Sequence, residues 1–243
     1  MSFTVTALGV GDAFSALSYT SCLLLEASGV ALLVDCPHPI RKMLRESTNG
    51  RVDVQDVRGV AVTHLHADHA SGLEGFAYYT HFVLGRKTPL LTGRDVLAQA
   101  WHGHFAAGMS VLRDVDGPHQ HTFESFFDPC PVVEGEVLAF GPFAIEARPT
   151  QHHIPTYAFK VRAAGRTLGI SGDTAFDSGL IDWLAPSDLI IHESNLGPAH
   201  TPYESLAALP TDLRSRMRVT HLPDGFEPDG AVQPLRQGER LEV

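Results

Sequence analysis

One stretch of this sequence constrains the fold more than any other: the apolar run VRGVAVTH (57–64), which leads directly into LHADH. The run has the character of a buried strand. At its end His64 and His66, two residues apart, can point to one side, whereas Asp68 and His69 follow a turn and can point to a neighbouring position. Burying four such side chains is costly unless a metal ion binds them. The motif therefore predicts one loop that supplies ligands to two adjacent metal positions.

Further ligand-type side chains stand where other apolar runs end. They are His152 and His153 in TQHHIPT, Asp173 in ISGDTAF and His221 in RVTHLP. Taken singly, a capping role for Asp173 or a surface position for His221 is the better explanation, but a site for two metals needs ligands from other strand ends. Imidazole and carboxylate groups suit zinc, and such sites also accept manganese or iron. We therefore expect two divalent metal ions, with zinc as the first choice.

Short apolar runs separated by turn residues extend along the whole chain. Apolar runs on both sides of Gly29 and of Gly165 predict β-hairpins. In contrast, PIRKMLRES (39–47) and RDVLAQAWHGHFAAG (94–108) have the apolar spacing of helices. Strand-rich halves with interspersed helices predict an α+β fold with two sheets inside and helices outside. Because no Pro/Ser/Gly-rich linker separates the halves, residues 1–243 are predicted to form a single domain.

The stretch 109–136 is the least regular part of the sequence. It is predicted to be a loop, or a lid over a site. The role of the longer segment 101–136 stays open.

Charge and cysteine content narrow the classes of partner and compartment. The formal net charge of −10 disfavours a nucleic acid partner and leaves a small-molecule substrate as the expectation. Three widely spaced cysteines without a CxxC motif favour a reducing, cytoplasmic location over a disulfide framework. The sequence has no apolar run long enough for a transmembrane helix, and its first residues resemble a strand rather than a signal peptide. A membrane association is therefore not expected.

The sequence THLHADHASGLEG resembles the HxHxDHxxG signature of the metallo-β-lactamase superfamily, and the later landmarks follow in that superfamily's order. The resemblance spans nearly the whole chain, from LGVGDAFS to VTHLPDG. It implies a four-layer αββα sandwich with two metal ions at the edge where the sheets meet. The resemblance also implies a ligand set: His64, His66 and His152 for the first metal, Asp68, His69 and His221 for the second, and Asp173 as the bridge.

The choice between His152 and His153 depends on register. The segment HHIPTYAFK resembles the HxxPxxGYR pattern of the phosphodiesterase branch, with Ala158 and Phe159 in place of Gly and Tyr. That register selects His152 as the ligand. His153 would then lie behind the ligands or face the substrate.

Two further segments are similar to those of tRNase Z and its relatives. SGDT (171–174) and DLIIHES (188–194) resemble the GDT and HEA motifs, and AHTPYESL (199–206) resembles the HST segment. The resemblance implies that Glu193 orients His200 and that His200 protonates the leaving oxygen. A carboxylate behind an imidazole raises its basicity and fixes its tautomer, which suits such a role. A surface salt bridge or a helix cap is the alternative explanation.

The sequence differs from tRNase Z in the segments with which that enzyme binds tRNA. Its tRNA-binding arm lies between the third-motif His and the bridging Asp, but here only 20 residues separate His152 from Asp173. The Arg of the tRNase Z N-terminal motif is also absent from GDAFSALSYTS. A tRNA substrate is therefore not expected. The arm-less cyclic phosphodiesterases of the phosphonate pathway are the better analogue.

Together these features predict a metal-dependent hydrolase of a small phosphodiester, cyclic or open, that acts through a hydroxide held between two metal ions. Asp68, His200 and Glu193 are the candidate catalytic residues. A lactonase or thioesterase of the same superfamily is the first alternative, although the HTPGHTPGH form of the third motif is absent. A non-hydrolytic metal-binding accessory protein is the second. Homodimers are common among relatives, so a homodimer is a further expectation.

Overall fold

The computed structural model of the protein describes residues 2–243. In chain order, its strands are β1 (Phe3–Gly9), β2 (Cys22–Ala27), β3 (Val30–Val34), β4 (Val57–Ala61), β5 (Thr88–Thr92), β6 (Val111–Asp114), β7 (Gly117–Gln120), β8 (Phe127–Pro131), β9 (Leu138–Phe140), β10 (Phe143–Pro149), β11 (Tyr157–Ala163), β12 (Arg166–Ile170), β13 (Leu189–Glu193), β14 (Met217–Thr220), β15 (Gln233–Pro234) and β16 (Arg240–Glu242).

The helices are short and lie between these strands. They are α1 (Ile40–Ser47), α2 (Ala67–Ala70), α3 (Leu73–Tyr78), α4 (Arg94–Ala100), α5 (Ala106–Met109), α6 (Phe123–Phe126), α7 (Ser178–Leu184), α8 (Tyr203–Ala207) and α9 (Thr211–Arg214). None of the helices within residues 2–243 is long and apolar enough to cross a membrane.

Two seven-stranded sheets carry the fold. The first has the order β16-β1-β2-β3-β4-β5-β8, and the second has the order β15-β14-β13-β12-β11-β10-β9. Strands β3, β4 and β5 run parallel in the first sheet, and β12, β13 and β14 run parallel in the second. Parallel neighbours bring their carboxyl ends to the same edge of a sheet, so loops that follow them meet there.

The core has three apolar layers. Between the sheets, Leu25 and Leu32 of one pack in the same cluster as Phe159 and Ile145 of the other, all of them wholly buried. Burial of one such side chain stabilises the fold by about 1.5–3 kcal/mol. The outer face of each sheet is covered by a further cluster that includes helical residues such as Phe76. The layers therefore run helix, sheet, sheet, helix, and the predicted αββα sandwich is confirmed.

Two stretches differ from the sequence-based predictions. The helix expected over 94–108 is divided into α4, a π-helical turn over Trp101–Phe105, and α5. The stretch 109–136, expected to be irregular, contains the hairpin β6–β7, helix α6 and strand β8. Strand β8 was not recognisable because it contains Pro129 and Pro131, which are tolerated only because β8 lies at the edge of its sheet.

Candidate metal centre

The predicted ligands come together because each follows a strand that ends at the same edge of the molecule. His64 stands three residues after β4, and Asp173 stands three residues after β12. His221 follows β14 directly. His152 follows β10, which is antiparallel to β11 and therefore runs in the direction of β12. The loops of both sheets thus converge on one site.

The first donor group consists of His64, His66 and His152. The Nε2 atom of His64 lies 3.0 Å from Nδ1 of His66, and Nε2 of His152 lies 3.1 Å from the same Nδ1. All three imidazoles thus direct one nitrogen to a common point. The carbonyl oxygen of Ala199 lies 3.0 Å from the other ring nitrogen of His152 and fixes its orientation. His153 is exposed and belongs to none of the donor groups found within residues 2–243.

The second donor group consists of Asp68, His69, Asp173 and His221. Asp68 Oδ2 lies 3.3 Å from His69 Nε2 and 3.2 Å from His221 Nε2. Asp173 completes the group, with Oδ1 3.4 Å from His69 Nε2 and Oδ2 3.5 Å from His221 Nε2.

Asp173 also faces the first group. Its Oδ2 atom lies 3.9 Å from His64 Nε2 and 3.8 Å from His152 Nε2. The carboxylate therefore stands between the two groups, in the position that was predicted for a bridging ligand.

The donor groups suit divalent metal ions. Within residues 2–243, the wholly buried Nε2 of His69 has no hydrogen-bond partner, although it faces two carboxylates. Such a nitrogen is costly to bury unless it binds something. A tetrahedral metal ion with bonds of 2.0–2.1 Å holds its ligand atoms about 3.3 Å apart, close to the separations in these groups. Both the chemistry and the spacing of the donors therefore fit.

The electrostatics of the site favour the ligand forms of the first group's imidazoles and of the two carboxylates. Burial lowers the pKa of His64, His66 and His152, which keeps their imidazoles neutral. Burial alone would raise the pKa of Asp68 and Asp173, but the neighbouring histidines lower it well below the ordinary value. Neutral imidazole and ionised carboxylate are the forms that bind a metal. For His69 and His221, burial alone would lower the pKa, but the neighbouring carboxylates, Asp173 foremost, raise it.

Asp35 is a site residue that the sequence analysis missed. It directly follows β3 and is buried, with Oδ2 2.8 Å from Nδ1 of His69. Thr63 donates to the same carboxylate from its backbone N–H, and the Thr63 hydroxyl lies 3.0 Å from Nδ1 of His64. One carboxylate thus orients a ligand of each donor group, directly for His69 and through Thr63 for His64. Its only signal in the sequence is an acidic residue at the end of the apolar run VALLVD.

Glu193 and His200 lie together beside the donor groups. Nδ1 of His200 is 3.1 Å from Oε1 of Glu193 and 3.9 Å from Oδ2 of Asp173. Glu193 Oε1 also accepts a hydrogen bond from the backbone N–H of Thr174 at 2.8 Å. The hydrogen bond that His200 donates to the Glu193 carboxylate raises the pKa of His200, while burial raises the pKa of Glu193. The pair that was predicted from two distant segments is therefore formed.

The strand order and the two donor groups at the sheet edge define a protein of the metallo-β-lactamase fold. The crystal structure of the metallo-β-lactamase fold protein YhfI from Bacillus subtilis superimposes with a TM-score of 0.81, at 19% sequence identity and over 100% of both chains. The predicted fold is therefore confirmed. More narrowly, the chain belongs to the family described as anti-Pycsar protein Apyc1, whose model matches residues 3–239.

Individual relatives agree with this assignment. The anti-Pycsar protein Apyc1 of Bacillus phage BSP38 is 30% identical over 236 residues, which are 90% of this chain and 89% of that protein. The cAMP/cGMP-dependent 3′,5′-cAMP/cGMP phosphodiesterase B of Dictyostelium discoideum is 26% identical over 258 residues, which cover 98% of this chain but only 22% of that larger protein.

Proposed function

We propose that this chain hydrolyses 3′,5′-cyclic nucleotides to 5′-nucleotides with the help of two divalent metal ions. The observation that carries the proposal is the pair of adjacent donor groups with Asp173 between them and His200 beside them. The relatives confirm the predicted reaction class, hydrolysis of a phosphodiester, and the phosphodiesterase of Dictyostelium discoideum supports a cyclic nucleotide as substrate.

His64, His66 and His152 would hold one metal ion, and Asp68, His69 and His221 the other, with Asp173 between them. Two such ions lower the pKa of a water molecule and withdraw charge from phosphoryl oxygens. Zinc fits the imidazole-rich donor sets, and manganese or iron are the alternatives. A catalytic role for Asp68 beyond metal binding stays a prediction.

His200 supplies what the metal ions do not, a proton for the leaving oxygen. The attacking water first loses a proton to solvent. Its oxygen then bonds to phosphorus, the bond from phosphorus to O3′ breaks, and the His200 imidazolium gives its proton to O3′. Glu193 holds Nδ1 at 3.1 Å, which leaves Nε2 as the donor. Because a ribose alkoxide is a poor leaving group, general acid catalysis is worth about 10²–10⁴-fold here.

The test is His200→Ala, assayed on cGMP, cAMP and bis(p-nitrophenyl) phosphate. We expect kcat on the cyclic nucleotides to fall by at least about 10²-fold. Activity on bis(p-nitrophenyl) phosphate should change little, since p-nitrophenolate leaves without a proton, and metal content should stay that of the wild type. An equal loss on all substrates, or no loss, would contradict the acid role.

A substrate panel tests the reaction class itself. The wild type should cleave the diesters and leave a lactone and a thioester intact. Activity on the esters alone would favour the lactonase or thioesterase alternative, and metal binding without hydrolysis would favour the accessory protein. The homodimer, the cytoplasmic location, the single-domain organisation and the exclusion of tRNA stay predictions.

A further inference from the structure

Glu193, His200 and His221 bring three ligand-type side chains together beside the second donor group. One ligand atom from each lies within 4.8 Å of the other two. The rings of His200 and His221 stack, with 5.4 Å between their centroids. We propose that these three side chains form an alternative zinc site, which competes with the second donor group for His221.

One oxygen of Glu193 is buried without a partner. Oε1 accepts hydrogen bonds from the backbone N–H groups of Thr174 and Thr201 and lies 3.1 Å from Nδ1 of His200. Within residues 2–243, Oε2 has no hydrogen-bond partner, although Glu193 is only 2% exposed. Burying a carboxylate oxygen in this way is costly unless something binds it. Glu193 also lines a cavity together with His221, so an ion bound there would meet both side chains.

The donor set is one that zinc uses. Two imidazoles and one glutamate hold the metal in several catalytic zinc sites, where water occupies the fourth position. The 3.1 Å between Glu193 Oε1 and His200 Nδ1 is close to the distance of about 3.3 Å between two donors on a tetrahedral zinc ion. The backbone N–H groups on Oε1 orient the carboxylate, as groups behind a metal ligand commonly do.

His221 makes the two sites exclusive. Its Nε2 lies 3.2 Å from Oδ2 of Asp68, and its Nδ1 faces Asn195. Nε2 is therefore the nitrogen that faces the other ligands, and one imidazole nitrogen binds one ion. An ion takes this nitrogen either within the second donor group or together with Glu193 and His200. The second donor group offers two carboxylates against one, so it holds the ion in the wild type.

Loss of Asp68 should reverse that preference. The second donor group would then have Asp173 as its last carboxylate, and Asp173 also faces the first donor group. The alternative site keeps Glu193, whose carboxylate is not shared with the first donor group. The ion should therefore move to the alternative site rather than leave the protein. There it would bind His200, which on the proposed function could no longer act as the acid.

The first test counts zinc ions by metal analysis after equilibrium dialysis. We expect Asp68→Ala to bind two zinc ions per chain, as the wild type does, and Asp68→Ala/Glu193→Gln to lose one of them. Asp68→Ala/Glu204→Gln is the control, since it removes the same charge at an exposed position of α8 and should keep both ions.

The second test locates the ion by anomalous scattering at the zinc edge in crystals of Asp68→Ala. The second zinc ion should lie against Glu193 and His200, whereas in the wild type it should lie in the second donor group. Asp68→Asn keeps the shape of the side chain and repeats both measurements in a chain with the wild-type packing.

Three outcomes would overturn the alternative site. In the Asp68 variants the second zinc ion could stay with His69 and Asp173, or it could be lost. Asp68→Ala/Glu193→Gln could also still bind two ions. None of these results concerns the cleavage of cyclic nucleotides by the wild type, which decides the proposed function separately.

Discussion

At the scale of single residues, two residues of the site have left-handed backbone conformations. Asp35 has φ of 62° and His221 has φ of 60°, in the left-handed region that side chains other than glycine seldom adopt. Such residues cost roughly 1–3 kcal/mol each and persist where the surrounding structure holds them. Here the two conformations place the Asp35 carboxylate and the His221 imidazole at the donor groups, so the strained backbone positions side chains of the site.

Replacing Asp35 by Asn tests whether its carboxylate orients the ligands. Asparagine tolerates the left-handed conformation, so the backbone is kept. The amide nitrogen of the new side chain cannot accept a hydrogen bond, so either His69 Nδ1 or the Thr63 donors would lose their acceptor. We expect metal affinity to fall by about 10–100-fold, measured by competition with a chelator.

Asp182→Asn, at an exposed position of α7, is the matched control for the loss of one charge. If Asp35→Asn binds metal as tightly as Asp182→Asn does, the orienting role of Asp35 is refuted.

At the scale of elements, the turn after β12 determines how closely the two sheets approach at the site. Gly172 has φ of +59°, and a Cβ atom there would lie 2.7 Å from the carbonyl oxygen of Tyr157 and 3.4 Å from Cβ of Thr63. Only glycine fits both the conformation and the space. The close approach places Asp173 beside His64.

The substitution Gly172→Ala is therefore expected to lower both stability and metal binding. We expect the free energy of unfolding to fall by about 1–3 kcal/mol and the metal content to fall with it, because the turn that carries Asp173 must shift. Denaturant unfolding and metal analysis measure the two effects.

Gly165→Ala is the control, since Gly165 also has positive φ, of +77°, but no atoms lie within 4 Å of an added Cβ. It should lose stability through its backbone alone and retain metal. A Gly172→Ala protein with full metal content would show that the turn does not position Asp173.

At the scale of the whole molecule, the metal centre joins both sheets. β4 and its loop belong to the first sheet and β12 and β14 to the second, so metal ions held by the donor groups would link the two layers of the sandwich. The half-buried carboxylate of Asp68 and the buried carboxylate of Asp173 also keep low pKa values through their contacts with histidines. Metal ions would neutralise this buried charge and connect the sheets.

Removal of metal should therefore destabilise the entire fold. A ligand present at 1,000 times its Kd stabilises by about 4 kcal/mol, which corresponds to a fall in Tm of roughly 10 °C when a chelator removes it from a chain of this size. Thermal unfolding with and without chelator measures the change, and added zinc or manganese should reverse it. An unchanged Tm after verified loss of metal would contradict this coupling.

The sequence was sufficient to predict the fold and most of the residues that meet at the site. Ligand-type residues at the ends of apolar runs indicated the donor groups. A buried strand can be recognised in the sequence by its apolar run, and the end of that run shows where the chain reaches the edge of the sheet. Asp35 escaped this reasoning because its partner His69 lies 34 residues away along the chain. The contact of Asn195 with Asp12, which are 183 residues apart, escaped it for the same reason.

The sequence alone indicated the metal ligands around LHADH, from residue type and local spacing, whereas the ligands from other strand ends were assigned through the resemblance to a family. The resemblance implied His152 as a ligand and Asp173 as the bridge, and only the tertiary structure brings both side chains up to the donors that follow β4. These properties arise only when loops from two sheets bring their ligand atoms within about 3–4 Å of one another, the separation of ligands around a shared metal ion.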